Sequence, residues 1–399
     1  MKNLIKVSVL SISMITVMAG AAVSPALANI SNSFPSASTN LIKMILTLPA
    51  LFIIIFSLLS GKLTSMFSKK QILISGILIY IIGGVGPVFV NDLSLLLVFR
   101  GILGVGCGLI MPISQSLITD FFSQDEKIKM TGYSSAASNL MGVISSVVVG
   151  GLSSINWKYG FYIYSIAVIV LLLNIIALPK QESPRKQKIK SYLNKKVYLL
   201  AIGMCLITMA FYAVPTNIAL FMKQEHIGNS SSAGSAIAIF TFSGFIAGII
   251  LSNIIRKLKE YTISIGIGIM CLGYGLLLYS NSILILLTAV ALVGFSFGII
   301  YPLIFLKTGN VSDKSSNAIS MSIVSSSMFL GQFLSPIVLQ GVGNIFKDNS
   351  TRFSFKMLII CLGIALIILL ILQLKSGIKN NKHMIELHDN CNGDVDTQC

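Results

Sequence analysis

The chain has 399 residues, of which 54% are hydrophobic and only 11% charged, against about a quarter charged in soluble domains, which excludes an ordinary soluble protein. Its formal net charge of +16 does not signal nucleic acid, because the basic residues cluster between apolar runs without the interleaved aromatics that stack on bases. Cys107, Cys205, Cys271 and Cys361 fall inside apolar runs, Cys391 and Cys399 in the tail, and His226, His383 and His388 in loops or the tail. That spacing offers neither a disulfide framework nor a metal centre, and no cofactor is expected.

Taken in order, the chain is a series of apolar runs. The first covers about residues 4–30. Lys2 and Lys6 precede it, and it ends AAVSPALAN, so Ala26-Leu27-Ala28 mimics a signal-peptidase site. Its length, Pro25 just before the would-be cut, and the repeat described below favour a first transmembrane helix over a cleaved leader. Further runs follow at 42–60, 72–90, 94–117, 132–152 and 160–178. The stretch 179–196, PKQESPRKQKIKSYLNKK, then breaks the pattern with seven basic residues and one acidic, Glu182, and reads as a solvated loop. Six more runs lie at 198–222, 233–254, 263–279, 283–306, 319–342 and 357–374. Each has the roughly 20 residues that cross a bilayer.

The expected fold is all-α and membrane-embedded, with twelve transmembrane helices in two six-helix bundles. Residues 1–178 form the first bundle, 179–196 the linker, 197–376 the second bundle, and 377–399 a polar, disordered tail. Twelve spans place both termini on one side. With that side cytoplasmic, 22 of the 29 Lys and Arg are cytoplasmic; the rest are Lys43, Lys158, Lys223, Lys347, Arg352 and Lys356 outside, and Arg100 within the membrane. The positive-inside rule therefore puts both ends inside.

The two bundles repeat. GVGCGLIMP at 104–112 matches GFSFGIIYP at 294–302, an offset of 190, and Pro25 matches Pro215 at the same offset. Gly61 and Lys70 match Gly248 and Lys257 at 187, while Gly142 and Ser146 match Gly331 and Ser335 at 189. Four matches at nearly one offset describe parallel repeats with a substrate site between them.

The stretch 94–122, SLLLVFRGILGVGCGLIMPISQSLITDFF, holds most of the unusual chemistry. Arg100 lies inside the apolar run, where a charge is costly and is usually given work. Gly104 and Gly108, at four-residue spacing, let a neighbouring helix approach closely. Pro112 interrupts the run and Asp120 ends it. These features read as a helix lining a pathway.

At these residues the chain resembles the major facilitator superfamily, in its twelve-helix drug–proton antiporter and efflux-permease branch, over about residues 4–376. Arg100 and Gly104 match that family's fourth helix, and Asp120 the acidic residue near its inner end. In the loop after the second run Gly61, Leu63, Lys69 and Lys70 match the family pattern, while Ser65 replaces its acidic residue and Met66 the following arginine. The antiporter signature appears as Gly142-x-x-x-Ser146-Val147-x-x-Gly150-Gly151, without its Gly-Pro core. The resemblance implies alternating access about a cavity lined by the first, fourth, seventh and tenth helices. It also implies a cytoplasmic gate loop at Gly61, Lys69 and Lys70, with Lys69 or Lys70 pairing with Asp120 in the outward-open state. For Arg100 it implies a role in the charge balance of a proton-coupled cycle. Read from the residues alone, the two lysines anchor helix ends, and Arg100 caps carbonyls and holds the first, second and fourth helices together.

An arginine hardly deprotonates, so Arg100 can tune a proton carrier but cannot be one. All thirteen acidic residues map to loops, the tail or helix ends; Asp120 and, after it, Glu225 are the candidate titrators. Met111, Tyr212, Asn217, Phe295, Phe297 and Tyr301 lie on the candidate lining helices, and Gln332 on the eleventh. Adaptable methionine and aromatic walls suit amphiphilic solutes. The expected function is export of small amphiphilic or lipophilic compounds from a plasma membrane by a monomer, with protons as the possible coupling partner that the resemblance implies. The alternative is an exporter or facilitator of a sugar or other small metabolite. An enzyme would need clustered His, Asp or Glu, or a partnered Ser or Cys, and the chain shows neither.

Overall fold

The computed structural model describes residues 2–64, 66–179, 194–312 and 316–393, so most of the expected linker lies outside the described residues. Among those described there is helix and no strand. The first six spans are α1 (Lys2–Ala21) continued by α2 (Leu27–Ser33), α3 (Thr39–Leu63), α4 (Lys69–Val85), α5 (Leu93–Phe121), α6 (Gln124–Ile155), and a 3-10 segment (Trp157–Ser165) leading into α7 (Ile166–Ala177). The second set is α8 (Lys195–Gln224), α9 (Ser230–Leu258), α10 (Thr262–Leu278), α11 (Ile283–Val311), α12 (Asn317–Phe346) and α13 (Thr351–Gly393).

Helix starts sit where a short polar side chain meets the first turn. Ser38, Asp92, Asn229 and Ser282 each accept a hydrogen bond from the backbone N–H three residues on, satisfying a donor the helix cannot. Ser68 and Gln71 make a capping box at α4. Among the described residues, eleven segments are long and apolar enough to cross a membrane. One of them, Ser230–Leu278, has 49 residues, about 74 Å as a continuous helix and more than twice a bilayer core. It breaks at Lys259, whose φ of 46° is left-handed, so α9 and α10 are two spans.

Two boundaries differ from the sequence reading. The first run is not one helix: Pro25 sits in a 3-10 turn (Ser24–Ala26) between α1 and α2, since proline lacks the N–H and crowds the preceding turn. The tail expected to be disordered is helical in α13 as far as Gly393. A formed helix extends with one hydrogen bond per residue ordered, and no proline stops it.

The repeat seen in the sequence is also a repeat of contacts. Gly76 of α4 faces Ile110 of α5, and Gly266 of α10 faces Ile300 of α11, each 190 residues on. Gly83 against Leu103 recurs as Gly273 against Val293. A Cβ on Gly83 would lie 2.2 Å from the Leu103 backbone nitrogen, so no larger residue permits this approach. The turns joining α3 to α4, α5 to α6, α9 to α10 and α11 to α12 share one end of the bundle with Lys69, Lys70, Lys127, Lys129, Arg256, Lys257 and Lys259. That end is called lysine-rich below, and the other the far end.

Candidate functional site

Arg100 is fully buried on α5. Its Nε donates to the Ile45 carbonyl of α3 at 2.6 Å, one terminal nitrogen to the Ala19 carbonyl of α1 at 2.9 Å, and the other to the Tyr164 hydroxyl at 3.0 Å. Tyr164 passes its own proton to the Met18 carbonyl at 3.1 Å, and its ring lies 5.7 Å from the guanidinium. No carboxylate is among these partners. The compensation comes from α1, which ends at Ala21, so the carbonyls of Met18 and Ala19 belong to its last turn and lack intrahelical donors. They carry the negative pole of the helix dipole, and Arg100 supplies the matching positive charge inside the bundle. Tyr164 is a partner that the sequence did not point to; only its place in a short aromatic run, Tyr159 to Tyr164, hinted at it.

At the lysine-rich end the gate-loop residues separate. Lys69 pairs with Asp120 at 2.6 Å, joining the start of α4 to the end of α5. Lys70 instead donates to the carbonyls of Ile175 at 2.6 Å and Leu178 at 2.5 Å, so it caps the end of α7. Gly61 faces open space. The Lys69–Asp120 pair lies within the first set of helices and does not bridge to the second. At the far end Arg352 forms a two-pronged pair with Glu225, both bonds 2.8 Å. Those bonds hold the Glu225 carboxyl below the ordinary carboxylate range, so it stays ionised and is a poor proton carrier.

The two sets of helices touch towards the far end. The Ser24 hydroxyl donates to the Pro215 carbonyl, bringing together the two prolines that the repeat relates, of which Pro25 breaks its helix and Pro215 lies inside the continuous α8, and Lys223 donates to Asn32. Gly150 of α6 lies against Gly234 of α9, where an added Cβ would be 2.8 Å from the opposing Cα. The remnant of the antiporter signature therefore forms a close helix crossing between the two sets.

An aromatic row occupies the second set. Phe240 stacks on Phe211, with ring centres 4.5 Å apart, and Phe211 stacks on Phe297 at 3.8 Å. Phe297, Tyr301 and Phe305 follow at four-residue spacing on one face of α11, at 5.4 and 4.9 Å. Tyr301 and Phe305 then line an open, largely apolar groove of about 510 Å³ with Pro302, Leu306, Gly309, Asn310 and Met321. Phe295 does not join the row; it packs with Ala247, Leu251, Ile299 and Leu303. Met111 is half-buried against the main core. Asn217 is fully buried, and its amide donates to Ala213 of its own helix beside Pro215. Tyr212 and Gln332 converge: a Cβ on Gly20 of α1 would lie 2.9 Å from the Tyr212 hydroxyl and 3.5 Å from the Gln332 amide nitrogen.

This doubled helical plan with a buried arginine in its fourth span has a counterpart among known families: the description Major Facilitator Superfamily matches residues 9–336. The chain belongs to that superfamily. Among relatives, it is 31% identical over 106 residues to multidrug transporter protein MdtP of Bacillus subtilis, covering 26% of this chain and 20% of that one. It is 24% identical over 221 residues to quinolone resistance protein NorA of Staphylococcus aureus, covering 53% of this chain and 56% of the relative. The matches span less than half the length of the first curated relatives. A solved D-xylose–proton symporter shares the fold, with a TM-score of 0.73 at 16% identity over 90% of this chain and 96% of that one. The chain is thus a member of that superfamily with several segments long and apolar enough to cross a membrane.

Proposed function

We propose that the chain is a secondary exporter of small amphiphilic or lipophilic compounds, working by alternating access in a cell membrane with its lysine-rich end in the cytoplasm. The observation that carries this reading is the aromatic row Phe211–Phe297–Tyr301–Phe305 running into the open, largely apolar groove of about 510 Å³. Stacked rings and apolar walls bind ring-bearing solutes through area and shape and need few polar contacts. A sugar site needs several converging polar groups. The groove offers Asn310 alone as an amide, and Trp157, the only tryptophan, lies at the far end. The similarity to proteins named for multidrug transport and quinolone resistance points the same way. Contacts between the two sets at Ser24, Asn32 and Gly150 describe a far end that is closed in this arrangement. In the proposed cycle these contacts part while the lysine-rich ends come together. Arg100 keeps the first set rigid during that motion.

The test is retention of a neutral lipophilic dye in cells expressing the protein. The wild type lowers retention relative to an empty vector, and Tyr301→Ala, made at equal surface expression, restores it at least in part. Dye retention equal to the empty vector, with the protein at the surface, would sink the reading. Sugar and nucleoside uptake or release would then be measured on the same cells.

A further inference from the structure

The aromatic row has a polar end. Gln332, midway along α12, is 2% exposed and Tyr212 of α8 is half-buried, and neither side chain is among the fully enclosed polar groups left without a partner in the described residues, so both keep some surface that a solute can reach. Both meet Gly20, the position on α1 where the absence of a Cβ leaves them room. A polar group at the edge of an apolar wall keeps its hydrogen-bonding capacity for water or a solute. Phe211, whose ring is 5.6 Å from that of Tyr212 in a T-shaped contact, links this polar corner to the row. Ring-stacking surface and two hydrogen-bonding groups are therefore contiguous, and they draw on α1, α8, α11 and α12, from both sets of helices.

We infer that Tyr212 and Gln332 form the recognition corner of the substrate site and select an uncharged hydrogen-bonding group, a carbonyl, amide or hydroxyl, on a compound whose rings lie along Phe211, Phe297 and Tyr301. This rests on the amphiphile reading above and narrows it to a substrate class. The argument for an uncharged group is electrostatic. No Asp or Glu falls inside an apolar run, since Glu260 lies in the turn between α9 and α10, so nothing fixed holds an organic cation. The charge of Arg100 is taken up by Ala19, Ile45 and Tyr164. The other cation buried in a span, Lys43, lies early in α3 near the far end. A charged group moved to the corner would lose hydration that Tyr212 and Gln332 cannot replace, whereas a neutral carbonyl or amide exchanges water for bonds to both. A carboxamide also offers both a donor and an acceptor, which matches the inventory of a tyrosine hydroxyl facing a glutamine amide.

The test uses the full chain in lipid nanodiscs and four ligands on one ring system: naphthalene, 2-naphthamide, 2-naphthoate and 2-naphthyltrimethylammonium. Binding is measured by equilibrium dialysis, with empty nanodiscs subtracted. The amide is expected to bind about fivefold or more tighter than the other three, a ratio equivalent to the net worth of one hydrogen bond. Tyr212→Phe and Gln332→Leu, which keep shape, should each remove most of that preference and leave naphthalene affinity unchanged. Phe297→Ala should weaken all four together. Tightest binding by the cation or the anion, or a preference that survives both substitutions, would overturn the inference while leaving the amphiphile reading intact. Failure of the wild type to bind any of the four would overturn the amphiphile reading and the inference with it.

Discussion

A guanidinium with no carboxylate beside it has to be explained by what replaces the counter-charge. For Arg100 the replacement is geometric, since three donors in a fixed fork reach three separate segments, α1, α3 and the turn carrying Tyr164. Lysine retains the charge but presents a single ammonium on a flexible stem, and it cannot span that fork. Arg100→Lys is therefore expected to leave at least one of the Ala19 and Ile45 carbonyls and the Tyr164 hydroxyl unsatisfied, at a cost of about 2–4 kcal/mol. The measurement is thermal inactivation of the detergent-solubilised protein followed by size-exclusion. A lysine variant as heat-stable as the wild type would show that charge alone matters here. The identity and burial of Arg100 were legible in the sequence, because one arginine in an apolar run is visible without any structure. Its partners were not: backbone carbonyls carry no signal in a residue string, and Tyr164 is 64 positions away.

At the scale of elements, what the sequence left open was helix rotation. Phe295 and Phe297 lie two residues apart on α11 and so point about 200° apart around its axis. One joins the aromatic row and the other packs with Leu251 and Ile299. Without contacts, either face was an equally good candidate for the cavity, because α11 is apolar on every side. Asn217 shows the same limit, since a polar residue in a span can face a pathway or, as here, bond its own helix next to a proline. The lysine pair 69 and 70 shows the opposite case. Adjacent residues at a helix start point in different directions, so one reaches Asp120 on α5 and the other the carbonyls ending α7. This separation makes a distinct prediction for each. Lys70→Ala uncaps α7 and should lower thermal stability by about 1 kcal/mol, with little effect on transport beyond the lost protein. Asp120→Asn breaks an ion pair that is partly exposed, at 14% and 31% for its two side chains, and should change stability by less than about 1 kcal/mol. If the Lys69–Asp120 contact is remade during the cycle, the dye-efflux rate of Asp120→Asn falls well beyond that small change. Efflux at the wild-type rate at equal expression would reduce the pair to a surface contact.

At the scale of the whole molecule, a 190-residue repeat does two things at once. It doubles the packing rules, so that Gly76 on Ile110 and Gly266 on Ile300 are the same contact made twice. It also brings equivalent positions together: Pro25, which breaks its helix, and Pro215, which lies inside the continuous α8, meet through Ser24. The first span is thus interrupted where the sets join, while its counterpart α8 is not. Spans, repeat and charge bias were legible from composition and periodicity, whereas the join was not, because it depends on which small residues of α6 and α9 face each other. Gly150 and Gly234 settle that question by leaving no space for a Cβ between them. A bulky residue there must push the two helices apart at the far end without touching the aromatic row. Gly150→Leu is accordingly expected to move the population towards an arrangement open at the far end. The readout is a cysteine placed at Ser24, where labelling by a membrane-impermeant maleimide added to the outside of intact cells should rise at least severalfold in the Gly150→Leu background. Binding of 2-naphthamide in nanodiscs should change much less, since Tyr212, Gln332 and Phe297 keep their places. Unchanged labelling would mean that the α6–α9 contact is passive packing and that other contacts between the sets, such as α3 on α12, hold the far end shut.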